Sequence, residues 1–284
     1  MSVQMQATKR RINSIVATRK ITSAMELIAV TKLQRWQKYF YSSDKFTESF
    51  RTILNEYQKL EIQIESPYFL ENRESSSILH VILTSNLGLC GAYNNNLIQY
   101  VQDKIKKDDT VLVIGKRGYR EIKKTHDNII TSFINIGDDL SYDTVLKLGR
   151  LFTTRYKLKK DHQVQIHYTH YINSLTSEPR SITLLPLRNE TNELEPKEKL
   201  APFPIVEPDA SLFLEELIPL YINALIMKVL IAAQVSEQSA RRNAMEAATD
   251  NATDLIDELM IQYNTARQAA ITQELTEVLG GSNV

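Results

Sequence analysis

Residues 239–270 read SARRNAMEAATDNATDLIDELMIQYNTARQAA, a stretch that contains no glycine or proline and is rich in alanine. Its apolar side chains recur at alternating steps of four and three residues: Ala252, Ile256, Leu259, Tyr263, Ala266 and Ala270. This spacing is typical of the seam of a coiled coil, and small side chains in a seam allow two helices to approach closely. The pattern therefore predicts a slim coiled-coil rod, although an alanine-rich helix of an ordinary bundle has the same periodicity.

Glycine and proline are absent from two long segments at opposite ends of the chain, residues 1–66 and 220–279. The first segment also carries apolar stripes at helical spacing: Met25, Ile28, Trp36 and Phe40, then Phe46, Phe50, Ile53, Tyr57 and Leu60. A helix of ~60 residues is about 90 Å long, whereas a globular domain of this chain's length is only about 40 Å across. We therefore predict that the two ends form a rod that projects from a smaller globular body.

The charge of the chain is balanced as a whole but not along its length. It has 34 basic and 34 acidic residues, which argues against a general nucleic-acid or membrane-surface binder. Residues 1–60 hold eleven basic and four acidic residues, a net charge of +7, and residues 207–284 hold four basic and twelve acidic residues, a net charge of −8. The opposite charges predict that the two terminal helices pair with each other, and that Lys9, Arg10 and Arg11 face a protein partner.

The middle of the chain alternates predicted strands with predicted helices. Strands are expected at 78–84, 111–114, 129–136, 164–172 and 181–187. Helices are expected in the stretch that ends at residue 107, at 117–124 and at 141–158. This alternation indicates an α/β layer with a mostly parallel sheet.

Prolines suggest where the terminal helices meet the middle. Ser66-Pro67 should end the first helix, because the residue before a proline avoids the helical conformation. Residues 188–210 are polar and contain several prolines, so we expect an irregular link. The domains are therefore predicted at 1–66, 67–208 and 209–284. Pro219 should mark a kink in the last helix or a helix start close by.

Compartment and membrane signals are weak. Cys90 is the single cysteine, so no disulfide can form within the chain. The N-terminus is basic but lacks the apolar core of a secretory signal. The most apolar segment, Leu217–Val235, is interrupted by a proline and three polar residues, so we predict no transmembrane helix.

The segment SNLGLCGAYNNN, Ser85–Asn96, follows a predicted strand and precedes a predicted helix, where phosphate loops occur. It lacks the Lys-Ser/Thr pair of a P-loop and the spacing of a dinucleotide fingerprint. Gly88 and Gly91 are therefore assigned to a tight turn. Cys90 has no histidine at a spacing typical of a catalytic pair, so we expect a buried, inert thiol.

Histidine spacing gives no sign of a metal site. His167 and His170 lie three residues apart in a predicted strand, so their side chains should face opposite sides of the sheet. We therefore predict no catalytic residues, no cofactor and no metal.

Three segments together resemble the gamma subunit of F-type ATP synthases over essentially the full length of the chain. They are TKRRINSIVATRKITSAMELIAVTKLQR (Thr8–Arg35), LTSNLGLCGAYN (Leu83–Asn94) and SEQSARRNAMEAATDNATDLIDELMIQYNTARQAAITQELTEVLGG (Ser236–Gly281). The resemblance implies a long antiparallel coiled coil of the N- and C-terminal helices, with a Rossmann-like α/β domain of mostly parallel strands.

The resemblance also implies the function of a central-stalk rotor subunit that catalyses nothing itself. Its coiled coil is expected inside a hexameric ring of alpha and beta subunits. Its α/β domain is expected to contact the membrane c-ring and an epsilon-type subunit without entering the membrane. Ion flow through the c-ring would then drive the catalytic beta subunits through their conformations for ATP synthesis, and hydrolysis would drive the reverse. The implied location is the cytoplasmic face of a bacterial cell membrane.

Individual residues match positions of the family that contact the ring. The matches are Met25, Arg241, Arg267 and Gln268, with Thr272 and Glu274 one turn further on. The loop expected near the c-ring contains Ser85, Asn86, Leu87, Gly88, Cys90 and Gly91. The family commonly has an Asp-Arg or Asp-Lys pair where this chain has Asn86-Leu87, so this loop lacks the two charges of that pair. Two other hypotheses remain: a nucleotide-dependent enzyme that uses the α/β domain, and a coiled-coil scaffold without a motor.

Overall fold

The computed structural model describes residues 3–59, 66–136, 140–187 and 210–281. The chain divides into two compact units, residues 1–31 with 241–284, and residues 32–240. The helices are α1 (Val3–Lys59), α2 (Tyr93–Gln102), α3 (Lys116–Ile122), α4 (Tyr142–Lys157) and α5 (Ala210–Gly281). The strands are β1 (Ile78–Leu83), β2 (Thr110–Ile114), β3 (Ile129–Ile130), β4 (Gln163–Tyr171) and β5 (Ser177–Leu185).

The unit of residues 32–240 is built on one five-stranded sheet with the order β3-β2-β1-β4-β5. Strands β3, β2, β1 and β4 are parallel, and β5 pairs antiparallel with β4. Helices cover both faces of the parallel strands, which explains why β1 and β2 are continuous apolar runs. The prediction of an α/β layer with a mostly parallel sheet is confirmed.

Each face of the sheet has its own core. On one face, buried side chains of β1, β2 and β4 pack with α4, α5 and the part of α1 in this unit, including Phe152, Ile222 and Trp36. On the other face, Leu97 and Val101 of α2 pack against the alternate residues of β1 and β2. The side chains of each strand therefore point alternately into two separate cores.

Helices α4 and α5 approach closely at Gly149. A Cβ atom built on Gly149 would lie 2.0 Å from the side-chain oxygen of Asn223 on α5. Helix α4 is capped by Ser141, whose hydroxyl accepts a hydrogen bond from the backbone N–H of Thr144. The absence of a side chain at Gly149 lets the two helices come together at this point.

Within the unit of residues 32–240, α1 and α5 run antiparallel. Asp44 of α1 forms an ion pair with Lys228 of α5 at 2.7 Å. Phe50, further along α1, contacts Tyr221, which is earlier in α5. This ion pair places the acid on α1 and the base on α5, which is the reverse of the predicted charge pattern. Burial of apolar side chains, and not the charge excess, therefore holds this pair together.

Some sequence-based boundaries differ from the structure. Strand β3 contains only Ile129–Ile130, because the chain then turns and the Ile134 carbonyl accepts a hydrogen bond from the Gly115 backbone N–H. Strand β5 begins at Ser177, before the predicted start, since an edge strand tolerates polar residues and Pro179. The predicted end of the first helix at 60–65 and the link at 188–209 lie outside the described residues.

Helix α5 continues through Pro219 and begins at Ala210, nine residues earlier, so Pro219 does not mark a helix start. Among the described residues, the segment Phe213–Gln273 is the one helix long and apolar enough to cross a membrane by length and composition alone. Most of its most apolar window is buried inside the fold. Core packing of α5 against the sheet therefore accounts for this composition.

Candidate interaction surfaces

In the unit of residues 1–31 and 241–284, the seam between α1 and α5 is made of small and apolar side chains. Its buried members are Met5, Ile12, Thr22 and Ala29 on α1, and Met245, Ala252 and Leu259 on α5. The hydroxyl of Thr249 donates a hydrogen bond of 2.8 Å to that of Thr22. The predicted seam positions Ile256, Tyr263, Ala266 and Ala270 are half-buried, so the predicted period of the α5 seam is confirmed.

Helix α1 presents an apolar stripe on the outside of this unit. Ile21 and Ile28 are 61% and 56% exposed, and Met25 between them is half-buried. The steps of four and three residues place the three side chains on one helix face. Ile28 was predicted to lie in the helix seam, and the structure instead turns it outward beside Met25. We refer to Ile21, Met25 and Ile28 as the α1 stripe.

The C-terminal part of α5 carries a second exposed face. Gln268, Ile271, Thr272 and Leu275 are exposed and spaced at three or four residues, so they share one side of the helix. The Thr272 hydroxyl donates to the Gln268 carbonyl at 2.9 Å. Arg267 is exposed beside this face. Gln268 and Thr272 thus share one helix face, and two apolar neighbours that were not predicted, Ile271 and Leu275, lie beside them.

Arg241 and Glu274 differ from these residues. Arg241 is only 7% exposed, so most of its side chain is packed inside the fold. Its neighbour Arg242 pairs with Glu246 at 3.3 Å. Glu274 lies within α5, but its side chain is outside the described set. Of the residues predicted to contact a ring, Met25, Arg267, Gln268 and Thr272 are the ones at the described surface.

An open groove of about 710 Å³ runs beside the seam. Its lining combines two cations, one carboxylate, three hydroxyl groups and apolar side chains: Arg19, Lys20, Glu26, Ser23, Thr249, Thr253, Ala24, Leu27 and Val30. The groove contains no nucleophile paired with a base, which covalent catalysis requires. In the described part of the chain, no group of three His, Cys, Asp or Glu side chains is placed to hold a metal ion.

The loop after β1 is held rigidly by its polar side chains. Ser85 is fully buried, and its backbone N–H donates to the Asn94 side-chain oxygen at 3.0 Å. The Asn86 amide donates to the Ile136 carbonyl at 2.7 Å, and its oxygen accepts from the Lys116 backbone N–H. Cys90 is buried beside Asn94, as predicted. The Asn86 side chain therefore has a structural role in this chain.

Two leucines project from the same loop. Leu87 and Leu89 are both exposed. Leu89 has φ of +61° and Gly91 has φ of +56°, so the chain turns tightly here, as predicted. A Cβ atom on Gly88 would lie 2.7 Å from the Arg117 guanidinium, which packs across the loop. The absence of the charged pair at Asn86-Leu87 was recognised from the sequence. The exposure of Leu89, a second apolar group in this loop, was not predicted.

Comparison with known proteins gives one consistent result. A family model described as ATP synthase matches residues 4–284. The ATP synthase gamma chains of Halothermothrix orenii and Mycoplasmopsis pulmonis are 38% and 34% identical over 280 residues, and each match covers 98% of both chains.

Solved structures share the fold. A chain from the rotor of the Euglena gracilis mitochondrial ATP synthase matches with a TM-score of 0.67 at 16% identity, covering 94% of this chain and 99% of that one. A chain from the central stalk and c-ring of the Tetrahymena thermophila mitochondrial ATP synthase matches with a TM-score of 0.56 at 19% identity, covering 80% and 99%.

Proposed function

This chain belongs to the family of ATP synthase gamma chains, and from that membership we propose that its two exposed helix faces act on the catalytic subunits of a rotary ATP synthase. The paired helices occupy a hexameric ring of alpha and beta subunits. The sheet-containing unit contacts the c-ring and an epsilon-type subunit. The loop near the c-ring contains Ser85, Asn86, Leu87, Gly88, Cys90 and Gly91. The chain is non-catalytic, and it is peripheral on the cytoplasmic face of a bacterial cell membrane. The domain limits proposed from the sequence are 1–66, 67–208 and 209–284.

The observation that supports this proposal most strongly is the α1 stripe. Exposed aliphatic side chains on a slim helix pair are unfavourable in water, and contiguous apolar surface commonly marks a contact site. Ile21 and Ile28 flank Met25, the residue matched to a position of the family that contacts the ring. An apolar surface of a beta subunit would cover all three side chains together.

The coupling itself follows from differential binding. The α1 stripe lies on α1, whereas Gln268, Ile271 and Thr272 lie on α5, so the outer surface of the helix pair differs from side to side. Each rotational position therefore offers each beta subunit a different set of contacts. A contact that favours one conformation of a beta subunit shifts its equilibrium by the difference in binding free energy between the conformations. Rotation driven by ion flow thus changes nucleotide affinity in turn at each catalytic site.

The exchange Met25→Lys tests the α1 stripe. A lysine places a charge between Ile21 and Ile28, where the proposal puts an apolar contact. We expect proton pumping per ATP hydrolysed to fall severalfold in membrane vesicles, while ATP hydrolysis is largely retained. Pumping is measured by quenching of a pH-sensitive dye, and hydrolysis by phosphate release on the same vesicles.

The control for this exchange is Met25→Leu, which keeps an apolar side chain of similar volume and costs little. It should retain normal coupling. Equal pumping per ATP in the lysine variant, the leucine variant and the unmodified enzyme would show that Met25 does not take part in the coupling contact.

A further inference from the structure

A connected set of polar side chains is buried under α2, away from the surfaces described above. His80 of β1 and His167 of β4 are 1% and 0% exposed, and the Nδ1 atom of His80 lies 2.8 Å from Nε2 of His167. The other ring nitrogen of His80 lies 3.2 Å from Oδ2 of Asp109. The other ring nitrogen of His167 lies 2.7 Å from the Ser181 hydroxyl of β5. We call Asp109, His80, His167 and Ser181 the histidine relay.

The carboxylate sets the direction of the hydrogen bonds in the histidine relay. Asp109 accepts the backbone N–H groups of Ile78 and Lys106 and can only accept from His80, so Nε2 of His80 carries a hydrogen. Nδ1 of a neutral His80 is then an acceptor and takes the hydrogen on Nε2 of His167. Nδ1 of His167 is in turn an acceptor and takes the Ser181 hydrogen. The complete set of bonds forms while both rings are neutral, and it cannot form while both rings are charged.

Two additional protons cannot be accommodated without breaking this arrangement. A first proton reverses the hydrogen bond between His167 and Ser181, whose hydroxyl then donates to the Tyr100 hydroxyl 3.3 Å away, but it leaves a buried cation without water. With both rings protonated, Nδ1 of His80 and Nε2 of His167 carry hydrogens that face each other across 2.8 Å, and the bond between the rings is lost.

The surroundings of the two rings also oppose a positive charge. Burial lowers the pKa of His80, against the opposing effect of Asp109, and His126 lowers it further. Burial lowers the pKa of His167 to about 3, and the charges of His80 and Lys104 act in the same direction. Asp109 is the one anion among these groups, and it contacts His80 directly. Both rings are therefore neutral near pH 7.

The cover over the relay is the C-terminal end of α2. Val101 is buried against the sheet, Tyr100 is half-buried, and Lys104 is exposed just beyond the helix. The Lys104 ammonium lies 3.5 Å from the centre of the Tyr100 ring and 3.5 Å from the Ser181 hydroxyl. Water would reach the histidines by displacing these groups, and the charge on Lys104 would be repelled by a protonated His167.

We propose that the histidine relay is an acid-sensitive latch that holds the C-terminal end of α2 against β4 and β5, and that protonation of the two histidines undocks this end while the rest of the sheet stays folded. The imidazolium gains water when α2 moves away, and Lys104 moves away from the new charge. The latch is independent of the helix faces that contact other subunits. It gives this unit a local conformational response to acidification.

Hydrogen exchange of the full-length chain, followed by mass spectrometry between pH 7.5 and pH 5.0, tests the latch. Opening exposes histidines with an ordinary pKa near 6.5. His167 takes up one proton when α2 opens. By linkage, the protection factors of amides in residues 97–105 should therefore fall about 30-fold over this pH range. Amides of β2 and α4 should keep their protection factors, after correction for intrinsic exchange.

His167→Gln and His80→Gln should remove this pH dependence, because glutamine does not titrate. His162→Gln is the matched control, since His162 bonds to the Asn72 carbonyl outside the relay, and it should leave the response unchanged. If the glutamine variants do not fold, ring NMR of histidine-labelled unmodified protein decides. His80 should then titrate below 6.5, and His167 well below it. Constant protection at 97–105, equal loss of protection in every strand, or ring titration near 6.5 would each overturn the latch.

Discussion

Replacement of Gly115 by alanine is expected to lower the free energy of unfolding by about 3 kcal/mol or more. Gly115 follows β2 with φ of +103°, a conformation that L-residues rarely adopt. A Cβ atom at this position would lie 2.1 Å from the carbonyl oxygen of Thr84, which is backbone and cannot move aside. Thr84 is also fixed, because its backbone N–H donates to the Ile114 carbonyl at 2.8 Å. The side chain would therefore add both conformational strain and steric overlap.

Urea unfolding of the full-length chain measures this loss. Gly91→Ala is the matched control, because Gly91 also has a positive φ, of +56°, in the tight turn before α2. It should cost only about 1–2 kcal/mol, the price of the left-handed conformation alone. Equal destabilisation by the two exchanges would show that the contact with Thr84 contributes nothing.

The exchange Arg155→Met is expected to destabilise the sheet-containing unit by about 3–5 kcal/mol. Arg155 of α4 donates two hydrogen bonds of 2.7 Å to the two oxygens of Asp161, which is fully buried. A third hydrogen bond from the guanidinium reaches the Thr110 hydroxyl at 3.1 Å. Methionine keeps much of the apolar length but leaves the Asp161 carboxylate buried without its cation, which is why the expected loss is large.

Two further variants separate this effect from a general loss of charge. Lys159→Met removes a surface ion pair with Glu74, in which both side chains are exposed, so it should cost less than about 1 kcal/mol. The double variant Arg155→Met, Asp161→Leu should recover much of the stability lost by Arg155→Met alone, since no unpaired charge remains. If urea unfolding shows the single and double variants to be equally unstable, packing of Arg155 and not its charge is the main contribution.

The spacing of apolar residues and the positions of glycine and proline predicted much of the fold correctly. The α5 seam through Ala252 and Leu259 is buried as predicted, because a regular step of four and three residues depends only on helix geometry. The apolar runs of β1 and β2 were also recognisable, since strands covered on both faces contain few polar residues. These features are local in the sequence, so a window of residues contains all the information that they require.

Features that depend on distant neighbours were not predicted. Ile28 and Phe46 fit helical stripes but are exposed, because a stripe does not show which of several faces meets the other helix. Strand β3 is short because the following residues bond to the end of β2 instead of extending the ladder. The contact of His80 with His167 joins residues that are 87 positions apart, and spacing along one strand could not indicate it.

The candidate surfaces likewise contain residues that were predicted from the sequence and residues that only the structure identified. The resemblance pointed to Met25, Gln268 and Thr272 one residue at a time, and the structure then placed Ile21, Ile28, Ile271 and Leu275 beside them. It also placed most of Arg241 inside the fold, which a match between sequences could not show. The apolar neighbours of the matched residues are therefore information that only the structure supplied.

The most direct test of the central claim is single-molecule rotation in the assembled complex. Alpha and beta subunits are immobilised, a small bead is attached to a cysteine introduced at Leu175, an exposed residue in the turn between β4 and β5, and ATP is supplied. A rotor subunit predicts continuous rotation of the bead in one direction at a rate that rises with ATP concentration. A bead that stays fixed while the same complexes hydrolyse ATP would identify a static scaffold and contradict the account.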